Sequence, residues 1–596
     1  MRRAETVLSI INERGKQGLP IERIYRLLYN QELYLMAYKN IYANNGAMTE
    51  GVTSETVDGM SLKKIDDIIE KLKIEAYQWK PVRRTYISKK NGKLRPLGMP
   101  TWSDKLLQEV MRIILDAYYD PQFSNKSHGF RESRGCETAL KAIRFRDGWK
   151  SVKWFVEGDI SDCFGSIDHI ILLNIMSEKI HDNRFILLVK YLLESGYLED
   201  WRYNQTLSGC PQGGVLSPLL SNIYMDKLDV FVERTLAPDF TIGEQRAENK
   251  EYRAILKQMD KYRRKQDWNK VKELKKVAQQ MPSKDPNDEN FKRLHYIRYA
   301  DDWLIGVSGS KQDAEDIKRE IEKFLQEELN LKLSPEKTLI THAREEKARF
   351  LGYDIHVLHC NSKHDKRGQR IINGSIGLRI PRDVMDEKIR EYTSKGLATH
   401  RKERTTSSDY DIISQFQSEL RGFAQYYFLA YNAHKLHNVK RGMELSLACT
   451  LANKHKTSVN KVYKKYQTVI DTKDGKYKVL QVTEQRENKK PLVAYFGGIK
   501  LAYNRDASIT ETPTKVFTLR SQLIDRLKNN ECELCGKIGS VEMHHVNKLK
   551  NIQKDSRKNK PEWMVRMITM NRKTLAVCLD CHRNIHSGEY DGKQVR

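Results

Sequence analysis

The chain of 596 residues lacks long hydrophobic runs, and its longest apolar stretch, near residues 185–193, is interrupted by Lys190. A bilayer span needs about 20 consecutive apolar residues, so the sequence is not that of an integral membrane protein. The basic start leads only to a brief apolar patch, which predicts no secretory signal and a cytoplasmic or nucleoid location. Aromatic residues are not scarce, with 29 Tyr, 16 Phe and 8 Trp, and this excludes global disorder. The length predicts about three to five domains.

The chain has fewer acidic than basic residues, and most of the difference lies in its C-terminal part. The whole chain has 105 Lys and Arg against 78 Asp and Glu, a net charge of +27. Residues 1–360 carry 59 basic and 53 acidic side chains (+6), whereas residues 361–596 carry 46 and 25 (+21). Such an excess with interleaved Tyr, His and Trp favours polyanion binding by the C-terminal part, and nucleic acid is the expected partner. An ordinary solvated basic surface is the alternative.

The nine cysteines do not suggest a disulfide framework. Five are scattered single residues, interpreted as small buried thiols: Cys136, Cys163, Cys210, Cys360 and Cys449. The other four form two Cys-x2-Cys pairs: Cys532 with Cys535, and Cys578 with Cys581. Two such turns can complete a tetrahedron of thiolates in an intracellular protein, so they predict a structural Zn²⁺ site.

Four histidines lie beside this frame in the last 53 residues: His544, His545, His582 and His586. His582 and His586 are four residues apart and would share one helical face, as metal ligands need. The order His-His, Asn571, His-x3-His resembles the HNH nucleases, whose ββα-metal fold hydrolyses DNA with one divalent ion. The resemblance implies that His545 is the general base, that the other three histidines bind the ion, and that Asn571 holds the hairpin or orients the base. A purely structural zinc ribbon is the alternative.

Three carboxylates upstream suggest a second metal site. Residues 154–158 form a short apolar run that ends at Asp159, and residues 294–307 form two apolar runs with Asp301 and Asp302 between them. This pattern predicts a buried strand and a β-hairpin with the aspartate pair at its tip. Adjacent like charges repel, and cations relieve that cost. Two Mg²⁺ ions held by carboxylates at strand ends are typical of nucleotidyl transfer.

The residues around these carboxylates resemble reverse transcriptases. Residues 299–302, Tyr-Ala-Asp-Asp, resemble the family signature, and six other blocks follow the family's order: 93–100, 127–131, 159–164, 208–218, 333–338 and 350–353. The resemblance implies catalytic roles for Asp159, Asp301 and Asp302. It also implies substrate contacts: Lys93 and Arg95 on the triphosphate, Phe164 as a steric gate against a 2′-hydroxyl, and Gln212 and Lys337 in blocks near the nucleotide.

The remaining segments indicate which kind of reverse transcriptase the chain resembles. Residues 36–46 resemble the additional N-terminal block of non-retroviral enzymes, and residues 243–280 read as exposed helices. Residues 419–431 place apolar side chains on one helical face and resemble maturase domain X, which also serves as the thumb; Arg421 and Tyr426 lie off that face and could meet RNA. Residues 483–530 resemble a DNA-binding region with an apolar seam (Leu519, Leu523, Leu527) and basic residues beside it (Arg520, Arg526, Lys528).

Together, the order of segments resembles that of the group II intron-encoded proteins. The expected fold is multidomain α+β: polymerase fingers and palm (1–360), an α-helical thumb and maturase domain X (361–482), a DNA-binding region (483–530), and a ββα-metal HNH domain with a four-cysteine zinc site (531–596). The resemblance implies an RNA-directed DNA polymerase, a maturase and a DNA endonuclease that nicks the target strand and primes reverse transcription in intron homing. It implies Mg²⁺ and Zn²⁺, intron RNA, double-stranded target DNA and dNTPs as partners, and a homodimer on the RNA. A splicing-only maturase and a domesticated reverse transcriptase are the alternatives.

Overall fold

A computed structural model describes residues 2–44, 46–88, 92, 94–146, 148–199, 202–204, 206, 208–210, 213–360, 362–366, 372–486, 489–507, 521–553 and 560–589. Helices and sheets alternate along the chain, as expected for a multidomain protein of mixed class. None of the helices within these ranges is both long and apolar enough to cross a membrane.

The N-terminal unit, residues 2–146, is built around one buried helix, Trp102–Tyr119. The Thr101 hydroxyl caps this helix by accepting from the Asp104 amide, and 14 of its 18 residues are buried, including Asp104, Gln108 and Glu109. The helix therefore lies inside the core, and the other helices of the unit surround it. Its further elements are helices Ala4–Lys16, Gln31–Ile41, Leu62–Lys73 and Cys136–Lys141, the 3₁₀ helix Ile24–Tyr29, the π-helical turn Ala142–Arg146, and strands Ile21–Glu22, Val82–Ser88 and Leu94–Met99.

The central unit contains a four-stranded antiparallel sheet. Its strands lie in the order Ile340–His342, Trp154–Gly158, Asp302–Val307, Leu294–Tyr299. Gly158 pairs with Trp303 and Tyr299 pairs with Asp302, so residue 159 and the turn at 300–301 lie at the same end of the sheet. The predicted hairpin is therefore confirmed.

Helices and smaller strands complete the central unit. The predicted charged helices of the insertion are Lys250–Arg264 and Trp268–Gln280, which pack on each other around Met259, Val271 and Ala278. The other helices are Cys163–Ser166, His169–Ser177, Asn183–Glu194, Ser217–Phe231, Ala237–Asp239 and Lys311–Leu329, with a π-helical turn at Val232–Leu236. The other strands are Ile180–His181, Tyr197–Glu199, Arg202–Asn204, Ala348–Phe350 and Tyr353–Val357.

The helical unit, residues 372–507, is organised by helix Asp409–Tyr427. Leu420, Ala424 and Tyr427 are buried on its predicted apolar face, but the helix ends at Tyr427 and leaves Tyr431 exposed. Tyr426 is half-buried, packs against Tyr353 and donates to the Leu351 carbonyl, whereas Arg421 is exposed, and the contact of either residue with RNA stays a prediction. The other helices are Arg382–Arg390, Leu436–Lys454 and Val459–Tyr466, with 3₁₀ turns Lys402–Arg404 and Ala433–Lys435 and strands Ile376–Arg379, Thr393–Ser394 and Leu397–Ala398.

A three-stranded antiparallel sheet packs on the same helix. Its strands are Gln467–Thr472, Gly475–Arg486 and Lys489–Phe496. The central strand runs across the expected boundary between residues 482 and 483, because Leu480, Ala494 and Phe496 join the apolar core of the helical unit. The first part of the expected DNA-binding region is therefore continuous with the helical unit.

The C-terminal unit, residues 521–589, has the ββα order predicted from the sequence. Strands Val541–His545 and Thr574–Cys578 pair antiparallel, and helix Leu579–Ser587 follows directly. Helices Leu549–Gln553 and Glu562–Thr569 lie between the strands in sequence, and helix Gln522–Lys528 precedes them. Leu523 and Leu527 of that first helix are buried in the core of the N-terminal unit.

Two expectations for residues 519–528 change. Leu519 and Arg520 lie outside the described residues. The Arg526 guanidinium is paired with Glu533 and donates to the Thr574 carbonyl at 2.8 Å, so its assignment to DNA phosphate is wrong. Arg526 instead ties this helix to the ββα hairpin, and Lys528 is exposed.

Candidate active sites

The central sheet gathers Asp159, Asp301 and Asp302 at one end. Asp159 follows strand Trp154–Gly158, and its carbonyl accepts from the Ser334 amide at 2.8 Å. Asp301 and Asp302 follow Ala300, which has a left-handed backbone with φ of 57°. That conformation is costly for alanine, so the surrounding structure must hold the turn.

A buried ion pair under the turn supplies this support. Arg298 and Asp229 are both fully buried, with Nη2 and Oδ2 2.6 Å apart, and Arg298 also donates to the Ala300 carbonyl at 2.8 Å. The Arg298 carbonyl accepts from the His128 amide, and a Cβ on Gly129 would lie 2.3 Å from the Ala300 nitrogen. The block at residues 127–131 therefore shapes the aspartate turn, and only glycine fits at position 129.

The charges at this end of the sheet are concentrated. Burial, followed by the carboxyl groups of Asp159 and Asp301, raises the pKa of Asp302 to about 7. Burial also raises the pKa of Asp301, while Lys337 and Arg95 oppose that rise. The Lys337 ammonium lies 2.6 Å from an Asp159 oxygen. Clustered carboxylates whose protonated forms are favoured provide a donor set that divalent cations fit.

The remaining predicted substrate residues are only partly described. Phe164 lies on helix Cys163–Ser166, half-buried, with the edge of its ring against Phe130 at a centroid distance of 6.1 Å. Arg95 is exposed on strand Leu94–Met99, near enough to the aspartates to affect them electrostatically. Lys93 and Gln212 lie outside the described residues.

The four paired cysteines converge at the base of the ββα hairpin. Cys532, Cys535, Cys578 and Cys581 place their Sγ atoms within 4.8 Å of one another. The two pairs come from distant parts of the unit, since 43 residues separate Cys535 from Cys578. Cys578 ends the second strand and Cys581 lies in the first turn of the following helix. This is the donor set and spacing of a closed four-thiolate site.

Three of the C-terminal histidines form a second cluster, and Asp58 of the N-terminal unit joins them. Ligand atoms of Asp58, His544, His582 and His586 all lie within 4.8 Å of one another. His582 and His586 place their Nε2 atoms 3.2 Å apart, and the other nitrogen of His582 lies 2.7 Å from Glu542. A carboxylate on the far nitrogen is the usual support of a metal-binding histidine.

The surroundings of this cluster also fit a cation. Both ring nitrogens of His544 are buried without a well-formed hydrogen bond among the described residues, although Nδ1 lies 3.3 Å from Asp58. Burial acts against ionisation of Asp58, but the neighbouring imidazoles outweigh it and hold its pKa well below the usual range. Burial likewise opposes the charge on His582, and Asp58 and Glu542 raise its pKa to about 9. An ion would satisfy the imidazole nitrogens that now face one another.

His545 points away from this cluster and is 5% exposed. Its Nδ1 lies 2.9 Å from the Met543 carbonyl and its Nε2 lies 3.0 Å from the Tyr38 hydroxyl. Burial lowers its pKa to about 4, so the ring is neutral at pH 7. A neutral imidazole has the lone pair that a general base requires.

Asn571 occupies a left-handed position, with φ of 51°, just after helix Glu562–Thr569. Asparagine tolerates this conformation at the end of a helix, and the turn leads into strand Thr574–Cys578. The ring nitrogens of His545 face Met543 and Tyr38. The geometry thus favours the hairpin-holding role of the two expected for Asn571.

Two of these features were absent from the sequence-based account. Asp58 carries no local signal, because it stands alone in a loop more than 480 residues before its partners. The pair of Arg298 and Asp229 also spans 69 residues. Arg298 within an apolar strand next to the aspartate signature was the one usable hint, since a buried arginine requires a partner.

Comparison with known proteins defines the class of protein. Three family models match in order: reverse transcriptase (RNA-dependent DNA polymerase) at residues 87–355, type II intron maturase at residues 384–504, and AI2M/AI1M-like HNH endonuclease at residues 532–582. The chain is therefore a multifunctional enzyme that combines polymerase and nuclease activities with an intron maturase.

Similar proteins extend over nearly the whole chain. The group II intron-encoded protein LtrA of Lactococcus lactis is 39% identical, with 98% of this chain and 99% of LtrA covered. An uncharacterized 91 kDa protein in the cob intron of Schizosaccharomyces pombe is 34% identical over 98% of this chain and 73% of its own. A putative COX1/OXI3 intron 1 protein of Saccharomyces cerevisiae is 31% identical over 95% and 69%. The chain belongs to the group II intron-encoded proteins.

Proposed function

We propose that this protein binds its intron RNA, nicks a DNA target with the C-terminal unit, and extends the resulting 3′-hydroxyl by copying the RNA. The observation that carries the proposal is that one chain holds two separate clusters of side chains of the types that catalytic metal ions bind. One contains carboxylates at the end of a sheet, as nucleotidyl transfer needs, and the other contains imidazoles beside a neutral buried histidine, as phosphodiester hydrolysis needs.

In this proposal the central sheet is the polymerase palm and the helical unit is the thumb. Asp159, Asp301 and Asp302 would hold two Mg²⁺ ions. When bound, these ions would activate the primer hydroxyl and neutralise the leaving pyrophosphate. Lys337, as the counter-ion of Asp159, and Arg95 would attract the triphosphate. Lys93 and Gln212 keep the substrate roles expected from the sequence.

Phe164 is proposed to select deoxynucleotides by excluding a 2′-hydroxyl. Replacement of Phe164 by Ala removes the ring that packs against Phe130. We expect discrimination between dNTP and rNTP to fall by about tenfold or more, because the space for the added oxygen opens. Single-nucleotide incorporation on a primed RNA template measures the ratio of kcat/KM for the two substrates. Unchanged discrimination with normal dNTP use would place the gate at another residue.

In the C-terminal unit, His544, His582 and His586 would bind the endonuclease ion, and His545 would take a proton from the attacking water. The Met543 carbonyl can only accept, so it fixes the proton on Nδ1 of His545 and leaves Nε2 as the basic atom. When bound, the ion would stabilise the charge on the scissile phosphate. Asn571 would hold the hairpin that presents His545.

The four cysteines are proposed to bind a structural Zn²⁺. Replacement of Cys578 by Ser should reduce the zinc content by one ion per chain and abolish nicking. Structural zinc contributes roughly 10–16 kcal/mol to folding in small metal domains, which exceeds the stability of a unit of this size. Elemental analysis of the purified chain measures the zinc. Cys449→Ser, outside the cluster, should keep the ion, and full zinc retention by Cys578→Ser would contradict the assignment.

Family membership supports intron RNA and nucleotides as partners. We extend this to double-stranded target DNA, to a homodimer on the RNA, and to a cytoplasmic setting where the intron is transcribed. The excess of +21 in residues 361–596 supports polyanion binding there, with exposed Arg421 and Lys528 as candidate contacts.

The expected DNA-binding region of residues 483–530 remains a prediction, and residues 508–520 of it lie outside the described structure. The presence of all three aspartates argues against a maturase that has lost polymerisation.

A further inference from the structure

The segment between helices Gln31–Ile41 and Leu62–Lys73 enters the nuclease site. The Gly59 amide donates to the Met543 carbonyl at 3.1 Å, and the Met543 amide donates to the Met60 carbonyl at 2.9 Å. These bonds pair the segment antiparallel with the outer edge of strand Val541–His545. The outer edge of the nuclease hairpin is therefore bridged to the N-terminal unit at Met60 and Met543.

This pairing places the Asp58 carboxylate among the three candidate metal ligands. One oxygen lies 2.7 Å from His586 Nε2, and the other lies 3.3 Å from both His544 Nδ1 and His582 Nε2. The second oxygen also accepts from the His545 amide at 2.6 Å. Three imidazoles and one carboxylate would supply all four ligands of a closed metal site, whereas catalytic sites keep one position open for water or substrate. An anionic oxygen on these imidazoles would also compete with an oxygen of a scissile phosphate.

The general base is blocked at the same time. Nδ1 of His545 carries the proton because it faces the Met543 carbonyl, so the Nε2 lone pair accepts from the Tyr38 hydroxyl. Tyr38 is itself fully buried, with its ring edge against Trp102. The basic atom of His545 has therefore already used its lone pair and is shielded from water.

We propose that Asp58 and Tyr38 form an autoinhibitory latch: Asp58 completes a closed four-ligand metal centre across two units, and Tyr38 caps the general base. This inference rests on the proposed roles of His545 and the three ligand histidines. The nuclease becomes active when the ββα hairpin leaves residues 58–60, and a DNA phosphate bound at the histidine cluster is the competing anion. Nicking is thereby restricted to complexes that have engaged DNA.

Docking of the latch can be tested through its backbone hydrogen bonds as well as through nicking activity. The amides of Gly59, Met543 and His545 donate across the contact, so their hydrogen exchange reports docking directly. Full-length wild type, Asp58→Asn and the matched control Asp67→Asn would be compared with and without Mn²⁺. Asp67 is exposed on helix Leu62–Lys73 and lies outside the cluster.

We expect Asp58→Asn to speed exchange in peptides that contain these amides by about tenfold or more, since a charge-assisted contact is lost. Mn²⁺ should slow this exchange in wild type and Asp67→Asn, and have less effect in Asp58→Asn. Nicking by Asp58→Asn should rise several-fold while extension of a supplied primer stays unchanged. Loss of nicking with normal primer extension would overturn the proposal, because Asp58 would then be a ligand of the active site. Unchanged exchange would also overturn it.

A second variant keeps the proposal testable if Asp58→Asn disturbs folding. Tyr38→Phe removes only the hydroxyl and retains the ring that packs on Trp102. We expect faster nicking in complexes that have engaged DNA, where the phosphate displaces Asp58, because the cap on the base is lost. The exchange of Gly59 and Met543 in the free protein should be unchanged, because the contact made by Asp58 and residues 59–60 remains. Equal or slower nicking by Tyr38→Phe would contradict the capping role of Tyr38. Equal nicking rates for wild type and His545→Ala would instead refute the proposed base.

Discussion

Joint replacement of Asp301 and Asp302 by Asn should lower cDNA synthesis by at least about 10³-fold, because metal ions supply several kcal/mol of transition-state stabilisation and each 1.36 kcal/mol is about tenfold in rate. The amides keep the size of the side chains but cannot replace carboxylates in a divalent ion site. The measurement is dNTP incorporation on a primed RNA template. Splicing assistance should persist, since the intron RNA performs that chemistry and the protein acts by binding.

The chain offers a close control for this pair. Asp66 and Asp67 are also adjacent aspartates, but both are exposed on helix Leu62–Lys73. Asp66→Asn with Asp67→Asn should leave cDNA synthesis within about twofold of wild type, as for most surface changes. Retained polymerisation in the Asp301 and Asp302 variant would show that the metal site lies elsewhere.

His545→Ala should lower the rate of target-strand nicking by about 10²–10⁴-fold, the usual contribution of a general base. The neutral imidazole at this position is the proton acceptor of the proposed mechanism, and alanine leaves only the ion and binding. The measurement is the rate at which a labelled DNA strand is cut by the ribonucleoprotein. Polymerisation from a supplied primer should remain normal, which also shows that the variant is folded.

His181 provides the matched control for this replacement. It is exposed on strand Ile180–His181, which pairs with strand Ile21–Glu22 rather than with the nuclease hairpin. His181→Ala should nick DNA at the wild-type rate. Nicking by His545→Ala at that same rate would remove His545 from the mechanism.

Local patterns in the sequence were sufficient to predict much of this architecture. Apolar runs on either side of Asp301 and Asp302 specify the hairpin, and the order His-His, Asn, His-x3-His specifies the ββα unit. The paired cysteine spacing predicts the convergence of Cys532 and Cys578, because each pair forms a tight turn on its own. These features depend on residues near one another in sequence.

The features that could not be predicted depend on distant contacts. Asp58 reaches the histidine cluster only because the nuclease hairpin docks on the N-terminal unit, and a lone aspartate in a loop gives no sign of that docking. Arg526 and Tyr426 resemble surface residues in sequence, yet tertiary partners occupy both. A basic or aromatic residue off an apolar stripe is therefore weak evidence for a nucleic-acid contact.

The C-terminal unit, which carries the nuclease hairpin, is docked on the N-terminal unit through a shared apolar core. Met543 and Val541 of the nuclease hairpin belong to the same apolar core as Leu33 and Trp102 of the N-terminal unit. The C-terminal unit is thus held against the unit that precedes the central sheet in sequence. Opening of the latch would occur beside the polymerase rather than on a free domain.

The most direct test of the central claim is to determine whether the nicked strand itself becomes the primer. The ribonucleoprotein is incubated with dNTPs and a target duplex labelled at the 5′ end of the strand to be nicked, and the RNA is then digested. We expect the label to move into a longer DNA containing intron cDNA, His545→Ala to abolish this product, and a pre-nicked duplex to restore it. Synthesis of cDNA that is never joined to the labelled strand would show that the nick does not prime reverse transcription.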